Sequence, residues 1–226
     1  MGTLREQPLH AALKEWYARP GDRIEVPVDG YVIDLLRGDL LIEIQTRGFA
    51  GMKAKVATLV AGGHRVRVVH PIAVDRWIVN IDENGLVLSR RRSPKHGSAA
   101  DVASELVSFP RLVNEPGFEI EVLLTVEEEY RRLVPGRCWR RRGWAVVERR
   151  LVEVVGQTSL ACADDLASLM PAGLPDPFTS ADLAAGIGRP RRVGQQLAYC
   201  LRKAGVVAVV GKRRGAVEYR LATTPQ

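Results

Sequence analysis

Two carboxylates set inside apolar runs are the side chains of this sequence best placed to do chemistry. Asp34 interrupts Tyr31-Val-Ile-Asp-Leu-Leu, and Glu43 interrupts Leu40-Leu-Ile-Glu-Ile-Gln45. A carboxylate within a hydrophobic strand loses hydration, and it persists where it is paired, hydrogen-bonded or holding a cation. Side chains alternate along a strand, so Glu43 and Gln45 share one face, Ile42 and Ile44 the other, and Asp34 points away from Ile33 and Leu35. Hard divalent cations take oxygen ligands, and magnesium keeps several waters while accepting one or two carboxylates, which suits Asp34, Glu43 and the Ile44 carbonyl. The plainer alternative is that the two acids line a solvated face of an antiparallel sheet and pair Arg37 or Arg47, with Asp39 a turn residue.

The surrounding pattern predicts the elements that would position them. Apolar residues at 9, 12, 13, 16 and 17 give a helical stripe over Leu9 to Arg19, closed by Pro20-Gly21. Strands are predicted over Arg23–Val28 and Tyr31–Leu36, joined by the hairpin dipeptide Asp29-Gly30, and over Leu40–Gln45 after the turn Arg37-Gly-Asp39. A helix from Phe49 to Val60, ended by Gly62-Gly63, leads to a β-branched strand from Arg65 to Pro71.

That order of helix, three-strand meander, helix and strand resembles the core of the PD-(D/E)XK nuclease superfamily, including the archaeal Holliday junction resolvases, over Leu9 to Pro71. The resemblance implies an α/β (α+β) fold, a restriction-endonuclease-like mixed sheet flanked by helices. It also implies a Mg2+ ion, with Mn2+ as a substitute, held by Asp34, Glu43 and the Ile44 carbonyl. Gln45 stands where the superfamily's lysine is expected. The Ile-Glu-Ile-Gln sequence is similar to competence-associated nuclease relatives, and Glu15 resembles an extra helical glutamate of several such families. A glutamine can orient water but carries no positive charge, so Lys53 or Lys55 on the following helix could lend an ammonium. Homodimerisation, which brings two active sites to two strands, is allowed by the same analogy.

The net charge of +7 is concentrated at one end. From Pro177 to Gln226 there are nine basic and two acidic residues, whereas the first 176 residues balance. A basic patch confined to one end points to a polyanion, with DNA the leading partner. Phe178 to Gly188 reads as a capped helix ending in a glycine turn, Pro190 opens a second helix reaching Lys203, and strands over Val206–Val210 and Ala216–Leu221 flank Gly211-Lys-Arg-Arg-Gly215. This resembles a winged helix-turn-helix domain. In that family the second helix enters the major groove, which would turn Arg189, Arg191, Arg192, Gln195 and Gln196 to DNA and put Lys212, Arg213 and Arg214 on the wing. Use of the same surfaces for protein contacts is the competing reading.

The middle of the chain is less legible. A hairpin is predicted around Glu83-Asn84, followed by a basic loop, Arg90-Arg91-Arg92-Ser-Pro-Lys95-His, suited to a phosphate backbone or simply to solvent. Asp101 to Val113 reads as helix, Phe118 to Thr125 as strand, and Glu127 to Arg132 as a charged helix start. Arg137 to Trp144 interleaves aromatics with arginines, a pattern for stacking on bases or for a packed strand. The sequence thus divides into a nuclease-like core over 1–97, an α/β extension over 98–170 and a winged helix over 171–226. Its cysteines and histidines have no metal spacing, and it holds neither a signal peptide nor an apolar run long enough for a membrane, so the cytoplasm is the expected compartment. Two functions are compatible with these residues: a metal-dependent DNA endonuclease acting on duplex or branched DNA, or a non-catalytic DNA-binding protein, a regulator or repair accessory, on a degenerate nuclease fold.

Overall fold

The computed structural model describes residues 7–134, 136 and 142–222. The first helix, α1 (Pro8–Tyr17), starts with proline at its favoured first turn and buries Leu9, Leu13 and Tyr17 on one stripe. Next, β1 (Arg23–Val28) and β2 (Tyr31–Arg37) form a hairpin, whose turn residues Asp29 and Gly30 both have positive φ, 49° and 79°. That pair of left-handed residues is what a two-residue hairpin turn requires. The third strand, β3 (Leu40–Ile44), is followed by a 3-10 turn over Phe49–Met52 and by α2 (Lys53–Ala61).

A long strand, β4 (Arg65–Ile81), runs well past the predicted end at Pro71 and turns into β5 (Val87–Arg92). Helical turns at Ala99–Val102, α3 (Ala103–Leu106) and Leu112–Asn114 lead to the strands β6 (Phe118–Leu133) and β7 (Trp144–Leu160). The predicted helix over 101–113 is thus broken into short turns, in keeping with Pro110, which cannot donate within a helix. The order β1-β2-β3-β4-β6-β7, with β5 on the far half of β4, makes one seven-stranded mixed sheet. Its β3–β4 and β4–β6 pairs are parallel and the rest antiparallel. One sheet therefore takes strands from both segments, 1–97 and 98–170, into which the sequence divides.

Two expectations are corrected here. Glu127 to Arg132 is strand, not helix: Glu127 and Glu129 are nearly fully buried and bond Arg76, Arg131 and Arg149, so a charge run that reads as solvated helix is satisfied across strands instead. Arg90 to Arg92 belong to β5 rather than to a loop.

The core lies on both faces of the sheet. Ile33, Leu41, Val66, Val68 and Ile120 pack with Phe49, Val56 and Leu59 on one face, while α1 covers Leu35, Ile42, Ile44, Val69 and Leu123 on the other. The C-terminal residues add α4 (Ala163–Ala167), β8 (Phe178–Thr179), α5 (Ser180–Gly186), α6 (Arg191–Lys203), β9 (Val207–Arg213) and β10 (Ala216–Leu221). Thr179 caps α5, accepting from the Ala181 and Asp182 amides, and Asp182 accepts from the Thr179 amide in return. At the crossing of α5 and α6 only glycine fits, because a Cβ on Gly194 would lie 2.4 Å from the Ser180 carbonyl oxygen. A three-stranded sheet, β8-β10-β9, closes this unit. It shares its apolar core with the large sheet: Leu197, Ala198, Cys200 and Leu201 join the same cluster as Ala103 and Leu106.

Candidate functional site

The opening between β2 and β3 is where the candidate residues meet. Backbone pairing runs from Arg37↔Leu40 to Leu35↔Ile42 and stops there. Beyond that point the Ile44 amide donates instead to Asp34 Oδ2 at 2.8 Å. The simple alternation predicted for β2 fails at the same place, since Ile33 and Leu35, two residues apart, belong to the cores on opposite faces of the sheet. Asp34 therefore sits where two strands part, a place where a carboxylate can replace a missing ladder partner.

Helices from both sides bring nitrogen to this opening. From α1, His10 Nε2 lies 3.3 Å from Asp34 Oδ2. Burial alone would raise the Asp34 carboxyl, but the His10 contact and the Ile44 N–H outweigh it and hold the group below its ordinary range. From α2, Lys55 Nζ donates to Glu43 Oε1 at 2.5 Å and to the Val32 carbonyl at 2.6 Å. Burial dominates at Glu43 and, with the neighbouring Asp34 charge, pushes its carboxyl up against the opposing pull of Lys55. His70, almost completely buried, donates from Nδ1 to the Gln45 carbonyl at 2.6 Å and packs edge-on to Phe49. Burial lowers the pKa of His70, which keeps the imidazole neutral at pH 7.

The candidates separate cleanly. Asp34, Glu43, Ile44 and Lys55 come together, while Lys53 and Glu15 lie on exposed faces of their helices. His10 and Lys14, four residues apart, are the α1 side chains whose charge acts on Asp34, and sequence reasoning missed both. Their i, i+4 spacing beside the buried Leu9 and Leu13 stripe was the available signal. Gln45 is half-buried, and its Oε1 accepts from the Arg47 amide at a long 3.4 Å. Arg37 binds Asp22 and the Tyr17 carbonyl, not either site acid. Among the described residues no group of three or more His, Cys, Asp and Glu side chains is arranged to hold a metal ion. The donor set still fits a cation that keeps much of its water: Asp34 and Glu43 bring one carboxylate from each strand to the opening, Asp34 accepting from the Ile44 amide and Glu43 from the Asp34 amide.

The basic candidates divide as well. On α6, Arg191, Arg192 and Gln195 are exposed and Gln196 is half-buried. Tyr199, exposed and 5.9 Å from the Arg202 guanidinium, extends that outer stripe and was not foreseen. Lys212 and Arg214 are exposed at the β9–β10 turn, whereas Arg213 leans on Asp182 and Glu218. Arg189 is an internal strut: it holds the Asp101 carboxylate at 2.6 Å and donates to the His96 carbonyl, tying the C-terminal unit to the helical segment beside the large sheet. On β5, Arg90 stacks over Trp77 and pairs Glu128, Arg92 pairs Asp75, and Arg91 is exposed, as is Lys95 beyond the strand's end. Of the interleaved run from Arg137 to Trp144, residues 137–141 lie outside the described residues.

Residues 7–161, from α1 to the end of β7 and including every residue around Asp34 and Glu43, match the model of a domain of unknown function, DUF8091. The chain belongs to the DUF8091 family. An uncharacterized protein of Treponema pallidum (strain Nichols) is 30% identical over 224 residues, 97% of this chain and 87% of that protein, so the likeness runs beyond the DUF8091 domain through the C-terminal unit. No solved structure matches the chain. Among the described residues no helix is long and apolar enough to cross a membrane.

Proposed function

We propose that the chain is a metal-dependent DNA endonuclease, hydrolysing phosphodiester bonds at the opening between β2 and β3, with the C-terminal unit recruiting duplex or branched DNA. The observation that carries this reading is the meeting of Asp34, Glu43 and the Lys55 ammonium at one strand opening. The succession α1, β1–β2–β3, α2, β4, with β4 parallel to β3, supports a restriction-endonuclease-like core. The order β8-β10-β9 around α5 and α6, with a two-residue turn at Arg214-Gly215 of positive φ, supports a winged helix.

Each side chain then has a role. Asp34 and Glu43 would hold the ion, and a bound divalent cation supplies an activated water and charge neutralisation at phosphate. His10 and the Ile44 amide keep Asp34 ionised and fixed in direction. Lys55 supplies from α2 the positive charge that Gln45 lacks, within reach of Glu43. His70 anchors the backbone at Gln45 and so steadies the end of β3. Cleavage assays on linear, single-stranded, flapped and four-way DNA with Mg2+ or Mn2+ test the reading; absence of metal-dependent products on every substrate removes it.

The second reading, DNA binding without cleavage, is favoured by one feature: Lys55 neutralises Glu43 directly, leaving a compact ion pair in which the fold itself is satisfied.

A further inference from the structure

One end of the large sheet exposes apolar side chains that the proposed cleavage chemistry does not use. Leu86, Val87 and Leu88, consecutive at the β4–β5 hairpin, are 67%, 52% and 58% exposed. Three adjacent large apolar side chains left in water are unusual for a folded surface, where such residues scatter singly. The backbone presents them deliberately. Val87 pairs Ile81 and Ser89 pairs Asn80, so Leu88 is the extra residue of a β-bulge, a device that re-aims a side chain and ends pairing. Asp82 Oδ1 accepts from the Asn84 and Leu86 amides, at 2.9 and 2.7 Å, and fixes the turn that carries them.

Two arginines stand at the same end, beside the turn's own Asp82 and Glu83. Ile81 pairs Arg132 of β6, whose guanidinium donates to the Asp82 backbone carbonyl. Arg91, three residues beyond Leu88, is exposed. Edge strands are ordinarily blunted by charge, and β5 is blunted only in its Arg90–Arg92 half.

We propose that this hairpin is a wedge for distorted DNA: Leu86, Val87 and Leu88 lodge against an opened base step at a flap, bulge or branch, while Arg91 and Arg132 contact the flanking phosphates. Leucine-type wedges unstack base steps and kink the duplex, and basic residues beside them neutralise phosphate. The proposal rests on the DNA reading above and names the substrate class of that site: DNA with an interrupted stack rather than intact duplex.

The test uses the full chain in EDTA, so that cleavage does not intervene, with linear, flapped and four-way DNA carrying 2-aminopurine beside the junction. Wild-type protein should bind the interrupted DNAs about tenfold more tightly than linear duplex and raise the 2-aminopurine fluorescence. The Leu86→Ser/Val87→Ser/Leu88→Ser variant, altered only at exposed positions, should keep its melting temperature and its affinity for linear duplex while losing both the preference and the fluorescence rise. An unchanged preference in that variant overturns the wedge alone, because DNA binding persists. So does a result in which the variant loses only binding to vesicles of phosphatidylcholine and phosphatidylserine. Absence of binding to any DNA by wild-type protein overturns the DNA reading itself, and the wedge with it.

Discussion

Around Asp34 and Glu43 the charged side chains are partly buried and bonded to one another or to backbone, whereas along the outer face of α6 Arg191, Arg192 and Arg202 stand exposed. The first arrangement fixes direction and shifts pKa; the second leaves long, mobile cations available to any polyanion. Arg189 shows how little residue type alone decides. It lies two residues before Arg191 in the same basic run, yet it is a strut to Asp101 and His96. A charge near a functional surface acquires its role from the partner that the fold places beside it.

Four perturbations sharpen the contrast. Lys55→Ala should lower metal-dependent cleavage by about a hundredfold or more, with DNA affinity nearly unchanged, because only the buried site depends on that ammonium. A titration of DNA binding alongside the rate measurement separates the two effects. On the exposed side, replacing Arg191 and Arg192 together by alanine should weaken binding and reduce the slope of log K against log salt by up to about 2. An unaltered slope would take α6 off the DNA.

Arg189→Ala should leave that slope alone and instead lower stability by about 1–2 kcal/mol, through loss of charged hydrogen bonds. The Cys200 thiol provides an independent readout. Burial pushes it up to about 12 and its Sγ lies 3.8 Å from the Ala103 carbonyl, so it should resist thiol reagents in the intact protein and react faster in the Arg189→Ala variant. The exposed Cys162 should react equally in both.

The smallest effect concerns pH. The Glu43 carboxyl is raised in the folded protein, so its contribution to stability is present at low pH and lost as pH rises through the folded pKa. Melting temperatures of wild type and Glu43→Gln should therefore shift in favour of wild type as pH falls from 7 to about 4, where the unfolded carboxyl also takes up its proton. Asp34 has the opposite sign: its contribution is present above its unfolded pKa and lost on acidification through the folded one.

Local patterns carried much of this structure. The hairpin at Asp29-Gly30, the end of α2 at Gly62-Gly63 and the capped helix after Thr179 each follow from a few adjacent residues. What local pattern could not supply was partnership at a distance. Glu127 and Glu129 read as solvent-facing because Arg76 and Arg149, which make them tolerable in a buried strand, lie tens of residues away. The extension of β4 to Ile81 and the single sheet across residue 97 likewise depend on β6, which pairs β4 along its length. At the site, the two acids were visible as charges within apolar strands, but His10 was not, because its contact with Asp34 depends on how α1 crosses β2 and β3.

The central claim is that the opening holding Asp34 and Glu43 cuts DNA, and Glu43→Gln measures it most directly. The substitution keeps the shape of the side chain and removes the charge. Cleavage of flapped and four-way DNA in Mg2+, followed together with binding, should disappear in the variant while affinity stays within a few-fold of wild type. Cleavage that persists at the wild-type rate in Glu43→Gln would contradict the assignment.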